Sequence, residues 1–376
     1  MARPTTAATL VATSSICAAF RNTVITSSVQ EGKRYIGTHH GSFHCDEALA
    51  VSLLKLLPKY KDHDILRTRE PTKLGTGTCD AVADVGGVYE PNTNRFDHHQ
   101  QEFNTTFSDK HRIKLSSAGL VYKHYGRDII QLLSQLSIQP TTEATNPLPA
   151  VLPSETVDLV YEKVYTSFIE HIDGIDNGVG VAETSQPLNY QVSTTLSSRV
   201  GYLNPSWNDP RSNEVNYVNS RFQDAMYLTV TEFIETVIHC IHVWLPARSL
   251  VEAAFQERLQ HHPSGRILYF PQYCPWKSHL YEVEEAHKLS AAQQVLFVIY
   301  HENTENTLRV QAVNTAPGSF ALRKSLNEAW RGLRGEELST ISGIPNCVFV
   351  HNAGFIGGNK NFGGALSMAV QSLPNV

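Results

Sequence analysis

An aspartate followed by two histidines, Asp97-His98-His99, places three groups able to bind a metal or move a proton within about 10 Å of extended chain. Upstream, His39, His40, His44 and Asp46 fall within eight residues, and Asp84 closes an apolar run. Downstream, Asp173 and Asp176 stand in the stretch HIDGIDNG. Carboxylates mixed with imidazoles suit Mn²⁺, Mg²⁺, Co²⁺ or Fe²⁺. A pair of such ions about 3.5–4 Å apart can clamp both oxygens of a phosphoryl transfer and lower the pKa of a water nucleophile. The expected arrangement has Asp84 as the bridging carboxylate, mounted on a strand end. His39, His44 and Asp46 supply both ions, and His98 and Asp176 complete the second. His99 is then left as general acid or phosphate contact. Each residue alone has a plainer reading: Asp46 as a helix N-cap, Asp84, Asp173 and Asp176 as cap or turn formers. Their joint order along the chain is what lifts the set.

Those groups need a scaffold. Tyr35–Thr38 reads as the first strand and as the start of the ordered fold. Residues 46–57 read as a helix with a wide apolar face, stopped by Pro58. Residues 64–68 and 80–85 read as further strands, the latter ending in Gly86-Gly87. Strand, helix, strand, strand with buried apolar runs predicts an α/β fold with a parallel sheet. Ligands of such sheets bind beyond the carboxyl ends of the strands, where His39 and Asp84 would both fall. Residues 116–136 and 154–172 read as helices, the second delivering Asp173 and Asp176 at its end. Residues 139–154 hold four prolines and read as a surface insertion. Residues 190–260 are mostly helical by pattern. Strand-like runs then follow at 266–270, 294–300, 307–313 and 347–350, with a five-glycine stretch at 354–364 leading into an apolar helix at 365–373.

The 376 residues suffice for two domains, and 41% hydrophobic with 18% charged residues is ordinary globular composition. A formal net charge of −5 argues against a strongly basic nucleic-acid binder, though not against a local basic groove. Histidine is the unusual count, 17 in all, with seven between positions 39 and 111. The six cysteines form no C-x-x-C pair, so neither a zinc ribbon nor a disulfide framework is indicated. No uninterrupted apolar stretch is long enough to span a bilayer, so no membrane partner is expected. Residues 1–30 contain ten Ser or Thr, two arginines and no acid. They read either as a mitochondrial targeting segment or as a disordered tail.

The motifs IGTHHGSFHCDEALA, VADVGG, RFDHHQ, KLSSAGLVY and IDGIDNG resemble those of the MYG exonuclease family in the DHH phosphoesterase superfamily. So do TTLSSRVGYLNPSWN, WLPAR, CPWKSHLYEVE, WRGLRGEELSTISGIPNCVFVH and GFIGG with GALSMA. The resemblance runs from about Ile36 to about Leu373. It implies a metal-dependent phosphodiesterase with 3′→5′ exonuclease activity on RNA, placed in mitochondria and the nucleus or nucleolus. It carries metal ligation onto His39, His44, Asp46, Asp84, His98 and Asp176, with His99 as the substrate or acid residue. The superfamily's usual spacing would select His40 instead of His39; the family pattern favours His39. A histidine at position 44, where the superfamily has aspartate, tilts the expected ions toward Mn²⁺ over Mg²⁺.

By the same resemblance, GFIGGNKNFGG is a substrate-binding glycine loop, with the amides of Gly357 and Gly358 facing a phosphate and His351 nearby. Arg331, Arg334, Arg248 and Lys277 lie in motifs with a tryptophan, a pairing that suits single-stranded nucleic acid. The expected division is a tail at 1–34, a DHH-like catalytic domain at 35–189, a helical connection at 190–262 and an α+β substrate-binding domain at 263–376, with the active site in the interdomain cleft. The leading reading is a two-metal exoribonuclease acting on single-stranded 3′ ends. Hydrolysis of a small phosphorus compound (pyrophosphate, a cyclic dinucleotide or a short oligonucleotide) would use the same residues. A metal-stabilised regulatory protein without turnover is the non-enzymatic alternative.

Overall fold

The computed structural model describes residues 20–135, 151–182, 189–302 and 306–374, together with residues 16 and 18. Residues 139–150 of the expected insertion and most of the tail before residue 20 lie outside these. The chain divides into two compact units, one ending at Ile241 and one beginning at His242.

The first unit is built on a six-stranded sheet of β1 (Ile25–Thr26), β2 (Tyr35–Thr38), β3 (Asp64–Arg67), β4 (Cys79–Ala83), β5 (Tyr89–Glu90) and β6 (Arg95–Phe96). Their order is β1-β3-β2-β4-β6-β5, parallel throughout except for β5 against β6. Order is therein earlier than the sequence suggests. β1 pairs with β3, Phe20 is buried, and Gln223 donates to the carbonyls of Phe20 and Thr23. β3 lies on one side of β2 and β4 on the other. The strand order therefore reverses between β2 and β4, where parallel α/β sheets place their ligands.

Helix α1 (Cys45–Leu56) is the axis of the unit. Its apolar residues Ala48, Leu49, Val51, Leu53 and Leu54 are fully buried, and at roughly 1.5–3 kcal/mol per buried large side chain they anchor it firmly. It packs against α2 (Ser117–Ser134) and α6 (Val215–His239), where the Ser52 hydroxyl donates to the Met226 carbonyl. The helix begins one residue earlier than its pattern suggests. Its N-cap is His44, so Asp46 sits inside the first turn and caps nothing. The remaining helical path runs through α3 (Ser154–Val164), a π-helical turn at Tyr165–Ile169, α4 (Glu170–Asp176) and α5 (Leu196–Gly201). Within the helical run Val215–His261 an 18-residue window reaches a mean hydropathy of 1.3, and half of that window is buried within the protein, as in a core helix.

The second unit holds a five-stranded sheet of β7 (Ile267–Phe270), β8 (Phe297–His301), β9 (Leu308–Ala312), β10 (Cys347–Val350) and β11 (Ile356–Asn359), ordered β10-β11-β9-β8-β7. Only β7 and β8 are parallel. Helices α7 (Leu245–His261) and α8 (Trp276–Ala286) pack together, and α7 also packs on β7; α9 (Gly335–Ser342) and α10 (Phe362–Gln371) complete the unit. β11 and the helices α8 and α9 escaped the sequence reading. The glycines of β11 hid a strand behind a loop-like composition.

Asp173 has a structural role. Fully buried, it accepts from the Ser116 amide at 2.9 Å, the Ser116 hydroxyl at 2.8 Å and the Tyr165 hydroxyl at 3.1 Å. Ser116 is in turn the N-cap of α2, so Asp173 ties that helix start to α4. Burial pushes its carboxyl up to about 7, against the pull of those donors. Asp173→Ala would leave a buried amide and two hydroxyls without their acceptor. The expected loss is about 3 kcal/mol, seen as a lower urea midpoint. A midpoint equal to that of the unaltered chain would refute the tie.

Candidate metal centre

Three parallel strands deliver the site. His39 follows β2, Asp84 follows β4 and Asp97 follows β6, so neighbouring strands present them at one sheet edge. α1 brings Asp46 and Glu47 to that edge through its first turn, and α4 ends on Asp176.

The Asp84 carboxylate sits in the middle. One oxygen lies 3.4 Å from His39 Nε2. The other lies 3.4 Å from His98 Nε2 and 3.5 Å from His99 Nδ1, and accepts from the Ser117 hydroxyl at 3.0 Å. Its backbone is left-handed, with φ at 59°, a conformation that costs a non-glycine residue about 1–3 kcal/mol. His98 Nε2 is also 3.1 Å from Asp176 and 3.9 Å from Asp46. His39 Nε2 is 3.0 Å from Glu47. Ligand atoms within 4.8 Å of one another form three overlapping groups: His39, His44, Glu47 and Asp84; Asp84, His98 and His99; Asp46, His98 and Asp176. His39 is thus brought into the cluster. His40 is exposed and belongs to none of the three.

Two residues here carry weight that the sequence reading did not assign. Glu47 is fully buried, accepts from the His44 amide at 2.8 Å and faces His39. Its H-x-x-E spacing from the N-cap resembles a capping box, which was the available signal. Asp97 is buried and accepts from His99 Nδ1 at 2.7 Å and from the Gly87 amide at 2.6 Å. It therefore holds the exposed His99 ring with Nε2 free.

The loop between β2 and α1 is fastened from beneath. Arg67, buried in β3, donates to the carbonyls of His39 at 3.1 Å and Gly41 at 2.8 Å. Asn204 exchanges two hydrogen bonds with the Phe43 backbone. His39 Nδ1 lies 3.2 Å from the His40 carbonyl, which turns Nε2 toward the carboxylates.

The donor set fits a divalent cation. Both Asp46 oxygens are buried without a hydrogen-bond partner, and His98 Nε2 lacks a hydrogen bond of ordinary geometry despite its close carboxylates. A buried carboxylate with no donor is a costly arrangement that a cation would relieve. Burial and the neighbouring Asp84, Asp176 and Glu47 push the Asp46 carboxyl well up. Burial opposes charge on both imidazoles, yet Asp84 and Glu47 raise His39 to about 9, and Asp176 and Asp84 raise His98 to about 10. Burial likewise opposes ionisation of Asp84, but hydrogen bonds from His39 and His98 hold it well below the carboxylate range. Two cavities open on the cluster, about 210 Å³ and about 740 Å³, and His44, Asp84 and His99 line both.

The candidate substrate residues of the second unit are mostly engaged. Gly357 and Gly358 lie buried inside β11, flanked by β10 and β9, so they belong to a sheet rather than to a loop offering amides to a phosphate. Their lack of a side chain has a packing reason. A Cβ at Gly357 would come within 3.0 Å of the Phe349 carbonyl and of Leu326. Arg248 is held by Glu252 and Glu282. Arg331 donates to Ser325, with its Nε buried and unpartnered. Lys277 places its ammonium 5.9 Å from the Trp276 ring centroid. His351 is exposed beside Phe355.

Residues 35–373 match the model of the MYG1 exonuclease family, described as an uncharacterised protein family (UPF0160). A MYG1 protein of Dictyostelium discoideum is 46% identical over 338 residues, covering 90% of this chain and 96% of that protein. The MYG1 exonuclease of Homo sapiens is 45% identical over 344 residues, covering 90% and 85%. The MYG1 protein YER156C of Saccharomyces cerevisiae is 38% identical over 350 residues, covering 90% and 96%.

The raised imidazoles give the metal-free site a pH signature. Free histidine loses its proton near 6.5, whereas folded His39 and His98 hold theirs to about 9 and about 10. The stability they contribute is complete below about 6.5 and lost as pH rises through about 9 to 10. In chelator, the thermal midpoint should fall by several degrees between these limits. Added Mn²⁺ should reverse the trend, because a cation competes with those protons. A flat metal-free profile would contradict the assignment.

Proposed function

This chain belongs to the MYG1 exonuclease family, and from that premise we propose that it is a metal-dependent nuclease, a 3′→5′ exoribonuclease acting on single-stranded RNA. The observation that carries the reading is Asp84, whose two oxygens face His39 on one side and His98 and His99 on the other, beside the unpartnered oxygens of Asp46. Polarity and the choice of RNA rest on the family resemblance. The acid-free residues 1–30 support a mitochondrial address, and the resemblance adds the nucleus.

In this reading His39, His44, Glu47 and Asp84 would hold one divalent ion, and Asp46, His98 and Asp176 would hold a second, with Asp84 beside His98. Mn²⁺ is favoured over Mg²⁺ by the imidazole content. When bound, the ions polarise the phosphodiester and supply a water nucleophile near neutral pH. The chain's own part is positioning. Arg67 and Asn204 fix the loop that carries His39 and His44. Asp97 fixes the His99 ring by its Nδ1 proton, which leaves Nε2 to contact the phosphate or give a proton to the departing oxygen.

Asp46→Ala and Asp84→Ala should each lower hydrolysis of a labelled single-stranded RNA by at least about 10³-fold in Mn²⁺, with the circular dichroism spectrum retained. His98→Ala should lose metal and turnover together. His99→Ala should keep its metal and lose turnover. Wild-type rates in either aspartate variant would sink the reading, and product analysis on substrates blocked at one end would decide polarity.

A further inference from the structure

The candidate site is short of positive charge. Asp46, Glu47, Asp84, Asp97 and Asp176 bring five carboxylates to it, so even two divalent ions leave it net negative toward a polyanion. An anionic strand needs further cations at the rim. Most cations of the first unit are already committed. Lys33 pairs with Asp64, Arg34 with Asp80, Lys73 with Glu70, Arg127 with Asp158, Arg199 with Glu232 and Arg221 with Asp224. Arg67, Arg95, Lys55 and Lys123 are spent on backbone carbonyls.

Two are not. Arg69, just beyond the end of β3, lines the 210 Å³ cavity together with His39 and Gly86. Lys114, just before the Ser116 cap of α2, lines the 740 Å³ cavity together with Asp176 and Ser198. Both are exposed, and among the described residues neither side chain has a hydrogen bond or ion pair. The two cavities meet at His44, Asp84 and His99. A chain lying across that shared wall has its reacting phosphate at the cluster, Arg69 on one side and Lys114 on the other.

We propose that Arg69 and Lys114 are the cations that grip the nucleic-acid backbone on the two sides of the reacting phosphate. The proposal rests on the nuclease reading for what the site cleaves, but it concerns binding and can be tested apart from turnover. Arg69 offers a planar fork suited to two phosphate oxygens, and Lys114 a point charge. Arg69 is the cation among the residues lining the smaller cavity, beside the imidazoles of His39, His44 and His99. The larger carries Gln100, Gln101 and Asn177, amides able to meet base or ribose edges.

The test is binding of a fluorescent single-stranded RNA ten nucleotides long to the full chain in chelator, across a salt series. Each phosphate contact to a single strand contributes about 0.7 to the slope of log K against log salt. Arg69→Gln and Lys114→Gln should each reduce that slope by about 0.7, and the double variant by about 1.4 with about tenfold weaker binding. Thermal midpoint and manganese content should not move. In Mn²⁺ the double variant should raise KM about tenfold and leave kcat within about twofold. An unchanged slope in the double variant, or no binding by the unaltered chain, overturns the proposal. If the unaltered chain binds with the predicted slope losses yet cleaves no RNA, the grip stands and the nuclease reading falls. If it cleaves RNA and the double variant keeps the slope, the nuclease reading stands and the grip falls.

Discussion

The carboxylate of Asp84 is the interaction on which the candidate site depends. It is shared between a histidine from the β2 loop and two histidines from the β6 loop, with Ser117 of α2 as a third support. Remove it and the remaining groups become separate clusters at the ends of β2 and β6, with β4 between them. Its left-handed backbone is the geometric condition for that role. A strand that simply ran on past Ala83 would follow another backbone path, and the turn at Asp84 through Gly86 and Gly87 is what permits the carboxylate to stand between its neighbours.

The arrangement works against stability, and the rest of the unit offsets it. Asp46, Glu47 and Asp84 are nearly fully buried close to one another, and burial with the neighbouring charges pushes the Asp46 carboxyl up. In the metal-free protein, protonated His39 and His98 supply the missing cations, so protons and metal compete for one site. The strongly apolar body of α1, pinned between α2 and α6, holds its acidic first turn where solvation alone would not leave it. Arg67 does a similar service beneath the histidine loop. It is buried, donates to carbonyls instead of a carboxylate, and lies over the Phe222 ring at 4.4 Å.

Function and support divide along this chain in a way that residue type does not reveal. Asp173 and Asp176 sit one helical turn apart in a single motif. One accepts three hydrogen bonds and ties α4 to α2; the other faces His98. Asp97 and His98 are adjacent, yet Asp97 holds the Gly87 amide and the His99 ring while His98 faces Asp84 and Asp176. Among the cations the division is equally sharp. The motif-bound Arg248 is neutralised by two glutamates, whereas Arg69 and Lys114 stand free beside the site.

Much of this was legible in the sequence, because parallel strands, their apolar runs and the residues that follow them are local features. The α/β class, the strands at 35–38 and 64–67, the helix after His44 and the placing of His39 and Asp84 at one sheet edge all follow from period and position. What sequence could not decide was direction. Nothing in the sequence singles out Glu47 as a partner of His39, and only its burial on α1 turns it toward that ring. Gly357 and Gly358 looked like a phosphate loop, because glycine has no side chain to report a strand, and only the close approach of Phe349 and Leu326 explains them. His39 and His40 differ by a single step along the chain, which in extended backbone sends their side chains to opposite sides. The sequence by itself determined the inventory of groups and the sheet that carries them. The tertiary structure alone decided which of those groups share one pocket, because that depends on how neighbouring strands and the first turn of α1 aim side chains in space.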